Sequence, residues 1–361
     1  MTVPIAITGI GPICSEAFGI AELVAVGATP GSQDVRPMTH FKPERFLGKR
    51  GFKFLSSGTR YALAASRLAL EDAGLWESPH YPAESRGVFM GTNFGVHDVV
   101  EAMDAVVLSQ GSGALLAIET PNFSVNIPAS YISLKCGFEA FNVTLTDMLV
   151  AGLEAVIFGV QSIHSGRARL VLAGAAEGPI PADAAALLGG APSEGAACML
   201  TLETVAAAQA RAARIYAQVG AHALRFIPPD AAGTDRSWRP HEDRLRRQLD
   251  ALLIDRPVST ITLAALDSTL SRRVNESLLR YVQERRADVH PHPSAGRPAD
   301  ACASPLLWLA ISIAQRGDGL LLIASPQGHV ALLSLEPVGS PRGATHVAHP
   351  ERASTARAAL V

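Results

Sequence analysis

The sequence predicts an α/β protein built from two successive halves. Short apolar strands alternate with helix-periodic stretches, the alternation starts again near residue 196, and 361 residues with 48% hydrophobic content can bury a substantial core. In the first half, residues 3–9 form an apolar strand that runs into a glycine turn. Residues 58–74 (GTRYALAASRLALEDAG) have helical spacing and a glycine stop. Residues 87–90 read as a strand ending in the loop Gly91-Thr92-Asn93-Phe94-Gly95. Residues 142–146 alternate as a strand, 149–165 read as a buried helix, and 169–173 as a strand again.

The second series opens with a strand at 197–202, a helix at 206–213 and a further apolar segment at 215–223. It continues with a helix at 243–253, a strand at Thr260–Ala265 and a helix at 273–285, then a helix at 305–315 and strands at Gly319–Ala324 and 329–335. The expected organisation is therefore residues 1–195 and 196–338 as two similar halves. Residues 339–361 are rich in Ala, Arg, Pro, Ser and Gly without periodicity, and are expected to be a mobile tail.

A formal net charge of -2 and 18% charged residues argue against disorder and against a general nucleic-acid surface. The N-terminal MTVPIAITGIGPIC has no basic residue ahead of its apolar stretch and is broken by Gly9 and Gly11, unlike a secretory signal. The densest apolar run, 306–314, is too short to span a bilayer, so a cytoplasmic location without membrane contact is expected. Cys14, Cys136, Cys198 and Cys302 lie far apart with no CxxC pair, which points to buried thiols and to neither a metal site nor a disulfide framework.

Several segments carry a family pattern. They are Ala6-Ile7-Thr8-Gly9-Ile10-Gly11, the helix ending EDAGL at residues 71–75, and Gly87-Val88-Phe89-Met90-Gly91-Thr92. PNFSVNIPASYISLKCG at 121–137, LVLAGAAEG at 170–178 and SEGAACMLTLE at 193–203 complete the series. In this order and spacing, over nearly the whole chain, they resemble the β-ketoacyl synthases. The resemblance implies the thiolase fold, a five-layer α-β-α-β-α arrangement of two similar halves. It also implies a dimer formed through the strand before the nucleophile, here Asn142, Val143, Thr144, Leu145 and Thr146. An open strand edge agrees with pairing to another chain.

In that family a cysteine at the strand-to-helix turn accepts the acyl group, and the helix N-terminus lowers its pKa. The resemblance aligns Leu149 with that cysteine, and leucine offers no nucleophile. Met148 and Val150 on either side offer none either. Two family histidines assist decarboxylation of the extender. The first aligns with Asp267, an acceptor-only carboxylate, and the second with Arg297, a permanent cation; His292 stands where the family carries lysine. His290 and His292 flank Pro291 in a polar loop and read as a solvated pair. The loop at 187–195 is shorter than the family's, and 324–332 (ASPQGHVAL) lacks its phenylalanine-containing glycine loop.

By the same resemblance, Glu119, Phe123, Ser124 and Ile127 would reach across the dimer axis and line the partner's acyl tunnel. Phe123 is the candidate steric stop, with packing in the dimer core as the alternative. Such a protein resembles the chain length factor, or ketosynthase β subunit, of type II polyketide synthases. The trimmed loops lean toward reducing or polyene-type systems. The resemblance implies a heterodimer with a catalytic ketosynthase, no cofactor or metal in this chain, and an acyl carrier protein with phosphopantetheine serving the partner. Two other readings stay open: a stand-alone acyl-binding or assembly protein, and an enzyme with relocated chemistry at Asp147 or Asp267.

Overall fold

The computed structural model describes residues 3–26, 38–187, 192–253, 260–265, 268–285, 290–291 and 300–338. Its strands are β1 (Ile5–Cys14), β2 (Ala17–Phe18), β3 (Arg86–Gly91), β4 (Phe141–Leu145), β5 (Leu170–Glu177) and β6 (Ala196–Thr204). They continue as β7 (Ala217–Phe226), β8 (Thr260–Ala265), β9 (His290–Pro291), β10 (Gly319–Ala324) and β11 (His329–Glu336). The helices are α1 (Ile20–Ala25), α2 (Pro43–Leu47), α3 (Ser57–Asp72), α4 (His97–Gln110), α5 (Ile127–Cys136) and α6 (Ala151–His164). They end with α7 (Ala182–Leu187), α8 (Val205–Ala210), α9 (Asp235–Leu253), α10 (Thr269–Arg285) and α11 (Ser304–Arg316).

Strand pairing reveals an internal repeat. One run reads β4-β3-β5-β6-β1 and the other β9-β8-β10-β11-β7. With β2 set aside as a short appendage to β1, both follow the same order within their half, third-second-fourth-fifth-first. In each, the fifth strand is antiparallel to both neighbours, while the third, second and fourth are mutually parallel. The two runs join where Ile5 pairs antiparallel with Val219.

Side-chain alternation then sorts the molecule into five layers. Val171, Ala173 and Ala175 of β5, like Leu321 and Ile323 of β10, face a central core shared with α6 and α11. Leu170 and Leu172 face outward onto α3 and α5. Leu320 and Leu322 face the opposite outer layer, formed by α9 and α10. A strand covered on both faces has to be apolar on both, and β5 and β10 are buried along their whole length. The central helices are apolar all round for the same reason: α11 buries every residue from Ser304 to Ile313. This is the five-layer arrangement that the sequence implies.

The seam between the halves differs from the expected one. The strand at 196–204, assigned from sequence to the second half, lies inside the first run, because β6 returns antiparallel between β5 and β1. The first half therefore extends through α8, which packs on β1 and β6, and the second begins at β7. A buried network locks this corner. Glu203 on β6, fully enclosed, accepts from the Thr8 hydroxyl, the Tyr81 hydroxyl and the Arg211 guanidinium at 2.6 Å. Other differences are of extent. β1 runs on to Cys14, α9 starts eight residues earlier with Pro240 inside it, and α4 and α5 are additional helices. Residues 339–361 lie outside the described residues. Among the described residues no helix is long and apolar enough to cross a membrane.

Candidate functional site

The turn between β4 and α6 is the centre of the site. Two close backbone approaches fix it. A Cβ on Gly91, at the end of β3, would lie 2.4 Å from the Ala151 carbonyl carbon. One on Gly152 would lie 2.6 Å from the Cys302 carbonyl oxygen. Only glycine lets β3, the first turn of α6 and the segment leading into α11 meet this tightly. Asn93 adds a side-chain bond, its Nδ2 donating to the Met148 carbonyl at 2.9 Å.

Leu149 sits on this turn with no exposed surface, packed in the central core. The turn therefore presents a buried alkyl group at Leu149. Asp147, two residues earlier, contacts Nδ1 of His329 at the start of β11, so one carboxylate and one imidazole from the two halves meet beside the turn. Next to them lies a cavity of about 230 Å³ lined by Val150, Glu154, Leu224, Arg225, Phe226, His329 and Val330. Burial raises the Glu154 carboxyl above its ordinary range and lowers Arg225.

Behind the turn stands Glu177 at the end of β5, completely enclosed. It accepts from the backbone N–H groups of Asn93 (2.9 Å) and Phe94 (2.7 Å), from Asn93 Nδ2 (3.1 Å) and from the Cys302 thiol (2.9 Å). Burial pushes its pKa up, and these donors pull the other way. The thiols lack the environment that makes cysteine nucleophilic. Burial pushes Cys14 up to about 11 and Cys136 up to about 12, and raises Cys198 as well. Cys302, the one nearest the turn, is driven well above its ordinary value by burial and by the Glu177 carboxylate. A thiol held protonated and shut off from solvent does not attack a thioester.

Asp267, Arg297 and His292 lie outside the described residues. Among the described residues no group of three or more His, Cys, Asp or Glu side chains is arranged to hold a metal ion.

The residues expected to face a partner belong to β4 and to the segment that leads into α5. β4 is the terminal strand of its run, and among the described residues it pairs only with β3, so its other edge is open there. Asn142 and Thr146 are exposed; Val143, Thr144 and Leu145 are half-buried. Among the described residues, seven of the twelve exposed large hydrophobic residues lie within 107–134, among them Leu108, Leu116, Ile118, Phe123 and Leu134. Phe123 is 54% exposed. Ser124 bonds Asn126, Ile127 opens α5, and Glu119 borders a 480 Å³ cavity beneath α4 that also contains Lys53, Arg60 and Asp98. Sequence reasoning missed Glu177, Cys302 and His329. A lone acid in the apolar run LVLAGAAE was the available sign of the first; the other two meet the turn only through the fold.

Residues 27–200 match the family described as β-ketoacyl synthase, N-terminal domain. That stretch is therefore similar to a ketoacyl-synthase domain. Among curated proteins the chain is similar to a granaticin polyketide β-ketoacyl synthase of Streptomyces violaceoruber, 26% identical in a 305-position alignment that covers 71% of each chain. It is also similar to the tetracenomycin polyketide synthase ketoacyl synthase alpha subunit of Streptomyces glaucescens, 30% identical, covering 56% of this chain and 55% of that subunit. Among solved structures, the ishigamide ketosynthase/chain length factor matches with a TM-score of 0.73 at 22% identity, covering 93% of this chain and 100% of the other. A type II polyketide synthase acyl carrier protein in complex with its ketosynthase bound to the hexaketide matches at 0.72 and 18%, covering 94% and 100%. These likenesses establish the thiolase fold.

Proposed function

We propose that this chain is a non-catalytic chain length factor that pairs with an active ketosynthase and shapes its acyl tunnel in a type II polyketide synthase. The observation that carries the reading is the buried Leu149 at the turn where a ketosynthase needs a thiolate, with Cys302, the nearest thiol, fully enclosed and held protonated. Asp267 and Arg297 at the aligned histidine positions extend the same pattern along the sequence.

The open edge of β4 and the apolar surface of residues 107–134 supply what a partner subunit would cover. In this reading Glu119, Phe123, Ser124 and Ile127 lie at the partner's tunnel. An acyl carrier protein delivers chains on phosphopantetheine to the partner, and this chain binds no cofactor of its own. The shortened 187–195 loop and the altered 324–332 segment favour a reducing or polyene-type pathway over an aromatic one.

The test is co-expression with an active ketosynthase of a type II polyketide synthase. The reading predicts a one-to-one complex that condenses acyl groups and a purified single chain that does not. A stable homodimer of this chain with no affinity for such a ketosynthase would overturn it.

A further inference from the structure

Away from the turn, on the outer face of the first run of strands, lies a cavity of about 310 Å³ between α2, the loop at 48–52, α3 and the end of α5. Its volume falls within the range of about 300–1,000 Å³ typical of small-molecule pockets. The interior is apolar: Phe46, Phe52, Leu55, Leu63 and Trp76, with the Cys136 thiol at one wall. The sheet separates it from Leu149, which belongs to the central core, whereas Phe46, Leu55 and Leu63 belong to the outer one.

The charges around this cavity are all of one sign. Arg67 is committed. It donates to Glu71 at 2.7 Å and to the Phe46 carbonyl at 2.9 Å, and its guanidinium lies 5.0 Å over the Trp76 ring, forming a wall. Arg50 and Lys135 are not committed. Both are exposed, neither has a partner among the described residues, and no acidic side chain lines the cavity. The Lys135 ammonium stands beside Gly51, whose added Cβ would meet it at 3.7 Å, so the cation sits against the glycine loop that closes one side. The two cavities described above differ. The one beneath α4 sets Asp98 and Glu119 against Lys53 and Arg60, and the one beside His329 pairs Glu154 with Arg225.

An apolar interior with two unpaired cations at its mouth fits a small amphiphile with an anionic head. We propose that this cavity binds a medium-chain acyl carboxylate, its chain between Phe46, Phe52 and Leu63 and its carboxylate on Arg50 and Lys135. None of its lining residues belongs to the set on which the proposed function rests, Leu149 and residues 107–134 and 142–146, so the two readings stand or fail separately.

The experiment titrates octanoate and octanol into the purified protein, alone or in complex with its partner, while following Trp76 fluorescence. The Trp76→Phe variant assigns the signal. The site's own contribution is the part lost in the Arg50→Met/Lys135→Met double variant, two exposed positions whose change leaves the core intact. We expect saturable binding of octanoate, about tenfold weaker binding of octanol, and equal weak binding of both in the double variant. No saturable response to octanoate, a preference for octanoate that survives in the double variant, or a signal that persists in Trp76→Phe would each overturn the proposal.

Discussion

Phe123→Ala is the substitution whose effect follows most directly from the geometry. Phe123 keeps 54% of its surface exposed, at the end of the short helical turn Thr120–Phe123 ahead of α5. An aromatic side chain buries roughly 150–250 Å² when enclosed, so covering the exposed part removes about 110 Å² from water. At about 25 cal/mol per Å² this amounts to ~2.7 kcal/mol, or about a hundredfold in Kd. That is a ceiling, because ordering the ring and its neighbours costs part of it. The assay is dissociation of the complex with the catalytic ketosynthase, measured by dilution with a fluorescent label on the partner, together with product analysis. The expected result is a Kd raised by between about ten- and a hundredfold, with products extended by further two-carbon units if the ring also ends the tunnel. A Kd and a product distribution both unchanged would refute the placement of Phe123 at the partner surface.

Leu149→Ala should destabilise the fold by about 2–5 kcal/mol, as for other fully buried leucines, seen as a lower unfolding midpoint in urea; a shift under about 0.5 kcal/mol would contradict its burial. On the proposed reading, which puts Asp267 and Arg297 at the histidine positions, Leu149→Cys should leave the isolated chain without condensing activity; turnover of acyl thioesters by that variant would count against that reading. Arg211→Met leaves the enclosed Glu203 without its cation and should cost about 3–5 kcal/mol, with a double-mutant cycle against Glu203→Gln giving strong coupling. Although burial opposes ionisation of Glu203, the bonds from Arg211, Thr8 and Tyr81 prevail and lower its pKa. Its stabilisation is therefore present above the ordinary carboxylate value of 4.5 and lost as pH falls through the lower folded value. The stability gap between the wild type and Glu203→Gln should shrink on acidification below 4.5, and a constant gap would argue against the network.

The parts of the fold that were legible in the sequence are those buried on both faces. β10 is a continuous apolar run between polar turns, and its limits coincide with the predicted ones. α4 escaped because none of its residues is buried, so no stripe stands out against its surroundings. The first turns of α9 are rich in Arg, Asp and His around Pro240, a composition that reads as a loop until Trp238 and Leu245 are seen packed beneath it. The seam moved because periodicity reveals a strand but not its neighbours: β6 looks like the start of a second unit, yet hydrogen-bonds between β5 and β1. The site follows the same division. Leu149 was legible because the turn is bracketed by a strand and a helix that the sequence marks clearly. Meetings such as that of Asp147 with His329, or of Glu177 with Cys302, join residues more than a hundred positions apart and become visible only once the two runs of strands are assembled.

The measurement that tests the central claim most directly is intact-protein mass spectrometry of the co-purified complex after incubation with an acyl-loaded carrier protein. The account predicts an acyl adduct on the cysteine of the catalytic ketosynthase and this chain at its unmodified mass. An acyl adduct on this chain would contradict it.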